Sequence, residues 1–184
     1  YELGKQMLDD IGYVEIGMDH FALKTDNMYE AMVEKKLHRN FMGYTAGKTK
    51  LMVGLGMSSI SDSWYSFAQN VKEVETYQAM ISKGEFPLLR GHLLNDEDLV
   101  IREHILNIMC HFKTSWNEAS MKFPELAETI IRLKEMEQDG LIEIYGDQLL
   151  VTDKGKPFVR NVCMGFDLRL QRNKPETRLF SMTV

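Results

Sequence analysis

The residues best suited to chemistry crowd into one short stretch. Between Glu34 and Lys50 lie Lys35, Lys36, Arg39, Lys48 and Lys50, a local charge of +4 in a chain whose formal net charge is −5. His38, Asn40, Phe41, Gly43, Tyr44 and Gly47 are interleaved with them. Cationic side chains bind carboxylates or phosphates, and rings stack on flat apolar bodies. The stretch therefore suits an anionic ligand with a planar apolar core; it equally suits a solvated, lysine-rich loop. Asp19 and His20 follow directly on an expected strand, and strand ends carry the reacting groups of barrel-like α/β enzymes. The competing reading of that pair is a structural hydrogen bond. Gly54-Leu55-Gly56-Met57-Ser58-Ser59-Ile60-Ser61 also follows an expected strand, and its glycines allow a ligand close to the backbone. It lacks the third glycine of a dinucleotide fingerprint and the lysine of a phosphate loop. Phe67-Ala68-Gln69-Asn70 sets two amides at an expected helix start, as a cap or as a binding pair. Cys110 and Cys163 stand 53 positions apart, in no Cys-x-x-Cys pair. They read as buried core thiols rather than metal ligands.

The elements that must position these groups fall into two halves. Up to about Leu93, helical and strand-like stretches alternate. A helix over Tyr1–Asp10 precedes a strand at Tyr13–Gly17, and Asp26 caps a helix running to about Lys36. A polar loop leads to a short apolar strand at Lys50–Gly56, and a helix covers Gln69–Lys83. From 94 onward the pattern is mostly helical. Asn95 and Asp98 form a capping-box-like pair before the apolar stripe Ile101, Ile105, Ile108 and Phe112. A short helix over Trp116–Lys122 and a longer one over Pro124–Gly140 follow. Leu141–Ile144 and Gln148–Val151 flank Tyr145-Gly146-Asp147 as a hairpin, and a last helix bears Val159, Val162, Cys163, Phe166 and Leu170. The expected fold class is α+β: the end of a partial barrel over 1–93, then a mostly helical, winged-helix-like domain with a small hairpin over 94–184.

A winged helix suggests DNA binding, but between Asp96 and Asp167 eight lysines and arginines face fourteen aspartates and glutamates. Phosphate neutralisation supplies most non-specific affinity, so nucleic acid is not an expected partner. No apolar run approaches the ~20 residues of a membrane span, so no membrane partner is expected. With two cysteines and no signal peptide, a reducing cytoplasm is the expected location. The thirteen methionines are read as flexible core filler or as the lining of a large apolar pocket. A start at Tyr1 hints at a truncated chain.

Several segments, in order, resemble one family. Ile16-Gly17-Met18-Asp19-His20-Phe21-Ala22 is followed by Leu37-His38-Arg39-Asn40-Phe41-Met42-Gly43-Tyr44-Thr45. The glycine-serine segment 54–61, Ala68-Gln69-Asn70, Arg90-Gly91 and Arg160-Asn161-Val162-Cys163-Met164-Gly165-Phe166-Asp167 continue the match. Together they resemble the oxygen-independent coproporphyrinogen III oxidases, radical S-adenosylmethionine enzymes of haem biosynthesis. Haem chaperones of the same superfamily carry a His-Asn-x-x-Tyr-Trp block nearby, which is absent here.

The resemblance implies oxidative decarboxylation of two propionates of coproporphyrinogen III to vinyl groups, giving protoporphyrinogen IX. It implies a [4Fe–4S] cluster and S-adenosylmethionine, with an electron donor as partner. Ile60 stands where the family contacts the S-adenosylmethionine at the cluster. The family's cluster cysteines lie upstream of anything matching Tyr1, so the missing N-terminal part of the chain is an expected partner. The chain alone is expected to bind no metal and to be inactive. A substrate with four carboxylates on an apolar macrocycle fits the cationic stretch: Arg39 with Lys35 or Lys36 would neutralise propionates, and Phe41 or Tyr44 would pack on the ring. His20 is a further substrate-binding candidate. Met42 departs from the family's glutamine, so no polar contact is expected there. The runner-up is a non-enzymatic porphyrin- or haem-binding relative.

Overall fold

A computed structural model of the chain describes residues 1–173, so the end of the expected second domain, 174–184, lies outside the described residues. Helix α1 (Glu2–Asp10) leads into a hairpin of β1 (Tyr13–Gly17) and β2 (His20–Leu23). Met18 and Asp19 make its turn, both in the left-handed region (φ 44° and 62°). The Asp26 carboxylate accepts from the Met28 N–H at 2.7 Å and starts α2 (Asn27–Val33), as its short polar side chain allows.

The expected polar loop after α2 is instead a second hairpin, β3 (His38–Asn40) with β4 (Gly43–Thr45). The strand expected at Lys50–Gly56 forms no ladder among the described residues. It makes a single bridge, Met52 to Asp62. The main sheet of this half is antiparallel, in the order β5 (Ile60–Asp62), β6 (Ser66–Asn70), β7 (Leu88–Leu93), with α3 (Val74–Ser82) joining its last two strands. Gln69 and Asn70 lie in β6 and start no helix. The Asn70 amide donates to the Gly54 and Gly56 carbonyls at 3.2 and 2.8 Å, lashing the glycine segment to the sheet. Every strand pairing among the described residues is antiparallel, and no closed barrel forms. Helices alternate with strands here without making parallel units, because the strands are too short and too exposed to be covered on both faces.

Helix α4 (Asp96–His111) opens with the expected capping box: Asn95 accepts from the Asp98 N–H, and Asp98 from the Asn95 N–H. Phe112 ends it in the left-handed region. The hairpin β9 (Ile142–Tyr145) and β10 (Gln148–Val151) gains β8 (Lys113–Ser115) as a third strand, in the order β8-β10-β9. The Trp116 N–H extends that pairing to the Asp147 carbonyl, which reduces the expected helix over 116–122 to a single turn of 3-10 helix at Ala119–Met121. The helix expected over 124–140 is broken into α5 (Leu126–Arg132) and α6 (Lys134–Gln138). Leu133 at the break is 2% exposed and packs on Gly165 of α7 (Val159–Phe166). Asp167 ends α7 and caps α8 (Leu168–Arg172) through the Leu170 N–H. The buried residues of both halves form one cluster, with Ile16, Ala22 and Tyr44 joined to Ile108, Met109 and Phe166.

Candidate functional site

The two small hairpins are locked together through their glycines. Gly17 has φ +147°, and a Cβ there would stand 2.7 Å from the Tyr44 hydroxyl. Gly43 has φ +136°, and its Cβ would stand 3.0 Å from His20 Nε2. Each hairpin thus lays a ring over the other's glycine, and the rings meet edge to face at 5.2 Å. This accounts physically for two of the segments singled out above. The Tyr44 hydroxyl donates to the Met109 carbonyl at 2.8 Å, and burial pushes its pKa up to about 12. Tyr44 is therefore core, joining β4 to α4, and presents no ring face to a ligand. His20 Nδ1 donates to the Met18 carbonyl at 2.8 Å, closing its own turn, so His20 is likewise engaged in packing.

The bracing of β3 against α4 opens a cavity of about 580 Å³, within the range of small-molecule sites. Its floor is apolar, from Ile101, Ile105, Leu106 and Met109 of α4, and Phe41 and Phe67 stand at its edge. Those two rings meet edge to face at 5.0 Å, and Phe41 is half exposed. Three arginines line the cavity: Arg39, Arg102 and Arg169. Arg102 pairs with buried Asp62 at 2.6 Å and donates to the Trp64 carbonyl at 2.9 Å. Arg169 forms two hydrogen bonds of 2.7 Å to Asp98, which also meets His92 and is held well below the usual carboxylate range by the guanidinium. Arg39 differs. Its guanidinium lies 4.6 Å from the Tyr44 ring centroid, and its Nη1 is buried with no hydrogen-bond partner among the described residues.

The other candidates separate. Lys35 and Lys36 line a different cleft together with His38, and Lys36 is already paired with Glu34 at 2.7 Å. Successive strand residues face opposite sides, so His38 and Arg39 of β3 belong to different cavities. Ile60 of β5 lies with Gln69 and Arg90 in a smaller cavity of about 300 Å³ that shares Phe41, Phe67 and His92 with the large one. Met42 is fully out in solvent at 86% exposure. Sequence reasoning missed Arg102, Asp62 and Asp98. The signal present was the spacing of Arg102, Ile105 and Met109 on one face of α4, which puts a cation at the rim of an apolar stripe. Cys110 and Cys163 are buried, as expected, and burial pushes both thiols up to about 12. Among the described residues no three His, Cys, Asp or Glu side chains are grouped to hold a metal ion.

No protein-family model matches the chain. Oxygen-independent coproporphyrinogen III oxidase of Synechocystis sp. is 36% identical over 186 residues, spanning 96% of this chain and 40% of its own length. The protein of the same name from Escherichia coli is 35% identical over 182 residues, with the same shares. A solved structure described as coproporphyrinogen III oxidase from Escherichia coli, a radical SAM enzyme, superposes with a TM-score of 0.83 at 35% identity. It covers 92% of this chain and 40% of that one. The chain thus spans about 40% of the length of the relatives it matches, in their C-terminal region.

Proposed function

We propose that this chain, which belongs with the oxygen-independent coproporphyrinogen III oxidases over 96% of its length, forms the tetrapyrrole-facing wall of such an enzyme. The intact protein would convert two propionates of coproporphyrinogen III to vinyl groups with loss of carbon dioxide. The observation that carries this reading is Arg39: a guanidinium on the wall of an apolar cavity, with a buried N–H lacking a partner. A buried charged donor left unpaired is costly, and a carboxylate accepting from it removes the cost. Arg102 and Arg169 already carry carboxylate partners, so Arg39 is the arginine of this cavity suited to a propionate. Ile101, Ile105 and Met109 offer apolar surface to the macrocycle, and Phe41 and Phe67 an edge for it.

The smaller cavity beside Ile60 suits the adenosyl part of S-adenosylmethionine, with Gln69 and Arg90 as polar contacts. When bound in the intact enzyme, that group supplies the hydrogen-abstracting chemistry. The residues of this chain bind, orient and screen from water: Phe41 and Phe67 border both cavities and would separate the two ligands. The first half is read as the end of an α/β barrel that the rest of the protein completes. The second half is read as a winged helix, on the order α4, β8, α5, α6, β9, β10 and the three-stranded sheet. Boundaries near 93/94 and a cytoplasmic location go with this reading.

The test is Arg39→Ala in the intact enzyme. Losing a charge-assisted hydrogen bond of about 1.5–3 kcal/mol should lower kcat/KM for coproporphyrinogen III by about 10- to 150-fold, mostly through KM. Unchanged kinetics would sink the assignment. A parent protein that binds porphyrin yet releases no carbon dioxide with S-adenosylmethionine and a reductant would point to the non-enzymatic relative.

A further inference from the structure

On the other side of β3 from Arg39 lies a cleft of about 410 Å³ whose chemistry the proposed function leaves unused. Its basic side chains come from four places: Lys35 and Lys36 after α2, His38 of β3, Lys48 after β4 and His111 at the end of α4. Glu103 is the carboxylate on its lining, and neither Lys35 nor Lys48 makes an ion pair among the described residues. His38 is only 9% exposed and lines the cleft, its ring 6.3 Å from the Trp64 indole.

Trp64 is a second, independent sign. It sits at the β5–β6 turn in the left-handed region (φ 68°), which bulky side chains rarely adopt. Its N–H donates to Asp62 at 2.8 Å and its carbonyl accepts from Arg102 at 2.9 Å, so the strain is held in place from both sides. The indole then lies between two cations, with Lys48 Nζ at 3.3 Å and the Arg102 guanidinium at 4.3 Å from its centroid. Strain maintained this way accompanies functional positioning; here it parks the Lys48 ammonium at the mouth of the cleft.

We propose that this cleft binds a phosphoryl-bearing anion, free phosphate or a small phosphomonoester, through Lys35, Lys48 and His38. No arginine lines it, so it lacks the planar fork that matches a carboxylate. Separate point donors converging from three elements suit a tetrahedral, multiply charged acceptor instead. Burial, with Lys48 and Arg102 nearby and Asp62 and Glu103 opposing, keeps the His38 imidazole below its ordinary value, so a bound dianion is what would draw a proton onto it.

The experiment is calorimetric titration of the intact parent protein with inorganic phosphate, phenyl phosphate and succinate at constant ionic strength. Saturable binding of phosphate or phenyl phosphate is expected, weakened about tenfold by Lys48→Gln and again by Lys35→Gln. Both lysines are exposed, so these variants keep the fold, and unchanged melting temperatures check it. Absence of saturation, full affinity in both lysine variants, or succinate binding as tightly as phosphate overturns the proposal. Arg39→Ala acts on the other cavity and should leave phosphate affinity intact; losing it there would assign the anion to that cavity and overturn the proposal too, while leaving the Arg39 kinetics to be judged separately.

Discussion

Replacing Arg39 by methionine should stabilise the chain. The buried Nη1 without a partner costs about 1–3 kcal/mol, because its hydration is lost and nothing replaces it. Against that stands the guanidinium's contact with the Tyr44 ring at 4.6 Å, about 0.5–1 kcal/mol at a partly exposed site. Methionine keeps the apolar stem that packs along the cavity wall, so little burial is lost. The balance is a gain of about 1 kcal/mol. With a urea slope of about 2 kcal/mol/M, the unfolding midpoint of the chain should rise by about 0.5 M. Circular dichroism across a urea series measures it, with the slope as a check that the unfolded state is unchanged. On the proposal that Arg39 meets a propionate, the same substitution would weaken that binding, so stability and function would move in opposite directions. A midpoint that stays or falls would refute the reasoning, since it would mean the guanidinium is already satisfied.

Arg102→Met should cost about 3–5 kcal/mol by urea unfolding, because Asp62, 8% exposed, is left as a buried unpaired carboxylate; adding Asp62→Leu should recover most of it. Thr114→Val should cost about 1–3 kcal/mol: His104 is fully buried, its Nε2–H donates to the Met121 carbonyl at 2.7 Å, and its Nδ1 must then accept from the Thr114 hydroxyl at 2.7 Å. Burial lowers the pKa of His38, His104 and His111, so the unfolded chain binds more protons than the folded one below about pH 6.5. Stability should therefore be full above that pH and fall as pH drops through it, by up to about 1.4 kcal/mol per unit for each histidine; His104→Leu should flatten a urea-midpoint profile between pH 7 and 5, and an unaltered slope would contradict the neutral, buried state.

The elements legible in the sequence are those whose cause is local. Asn95 and Asp98 announce α4 because a capping box is completed within four residues, and Asp26 announces α2 in the same way. The Gly146 turn announces β9 and β10 because the hairpin register is set at the turn. The hairpin β3–β4 was hidden because its strands are three residues long and polar, and its burial comes from Tyr44 bonding to Met109, 65 positions away. The helix over 124–140 was misjudged in a similar way: its periodicity is continuous, and the break at Leu133 answers to a glycine on α7. The apolar alternation at Leu51, Val53 and Leu55 does describe a segment exposed on every second residue, yet a strand is defined by its ladder, and among the described residues its pairing stops at the single Met52–Asp62 bridge.

The candidate site shows the same division at the level of single side chains. Charge counting finds the cationic stretch between Glu34 and Lys50, but it treats the stretch as one patch. A strand of period two divides it: His38 turns toward Lys35 and Lys48, and Arg39 toward α4. What then distinguishes Arg39 from Arg102 and Arg169 is not its own identity but the placement of Asp62 and Asp98, carboxylates that reach the other two guanidiniums from distant elements. Asp62 is 23 positions from Arg39 and 40 from Arg102, and only the folded sheet decides which arginine it neutralises. Composition can thus name a surface that attracts anions, while the residual charge available to a ligand is a property of the completed ion-pair network. That is why the sequence could propose Arg39, Lys35 and Lys36 together, and why the structure divides them between two cavities.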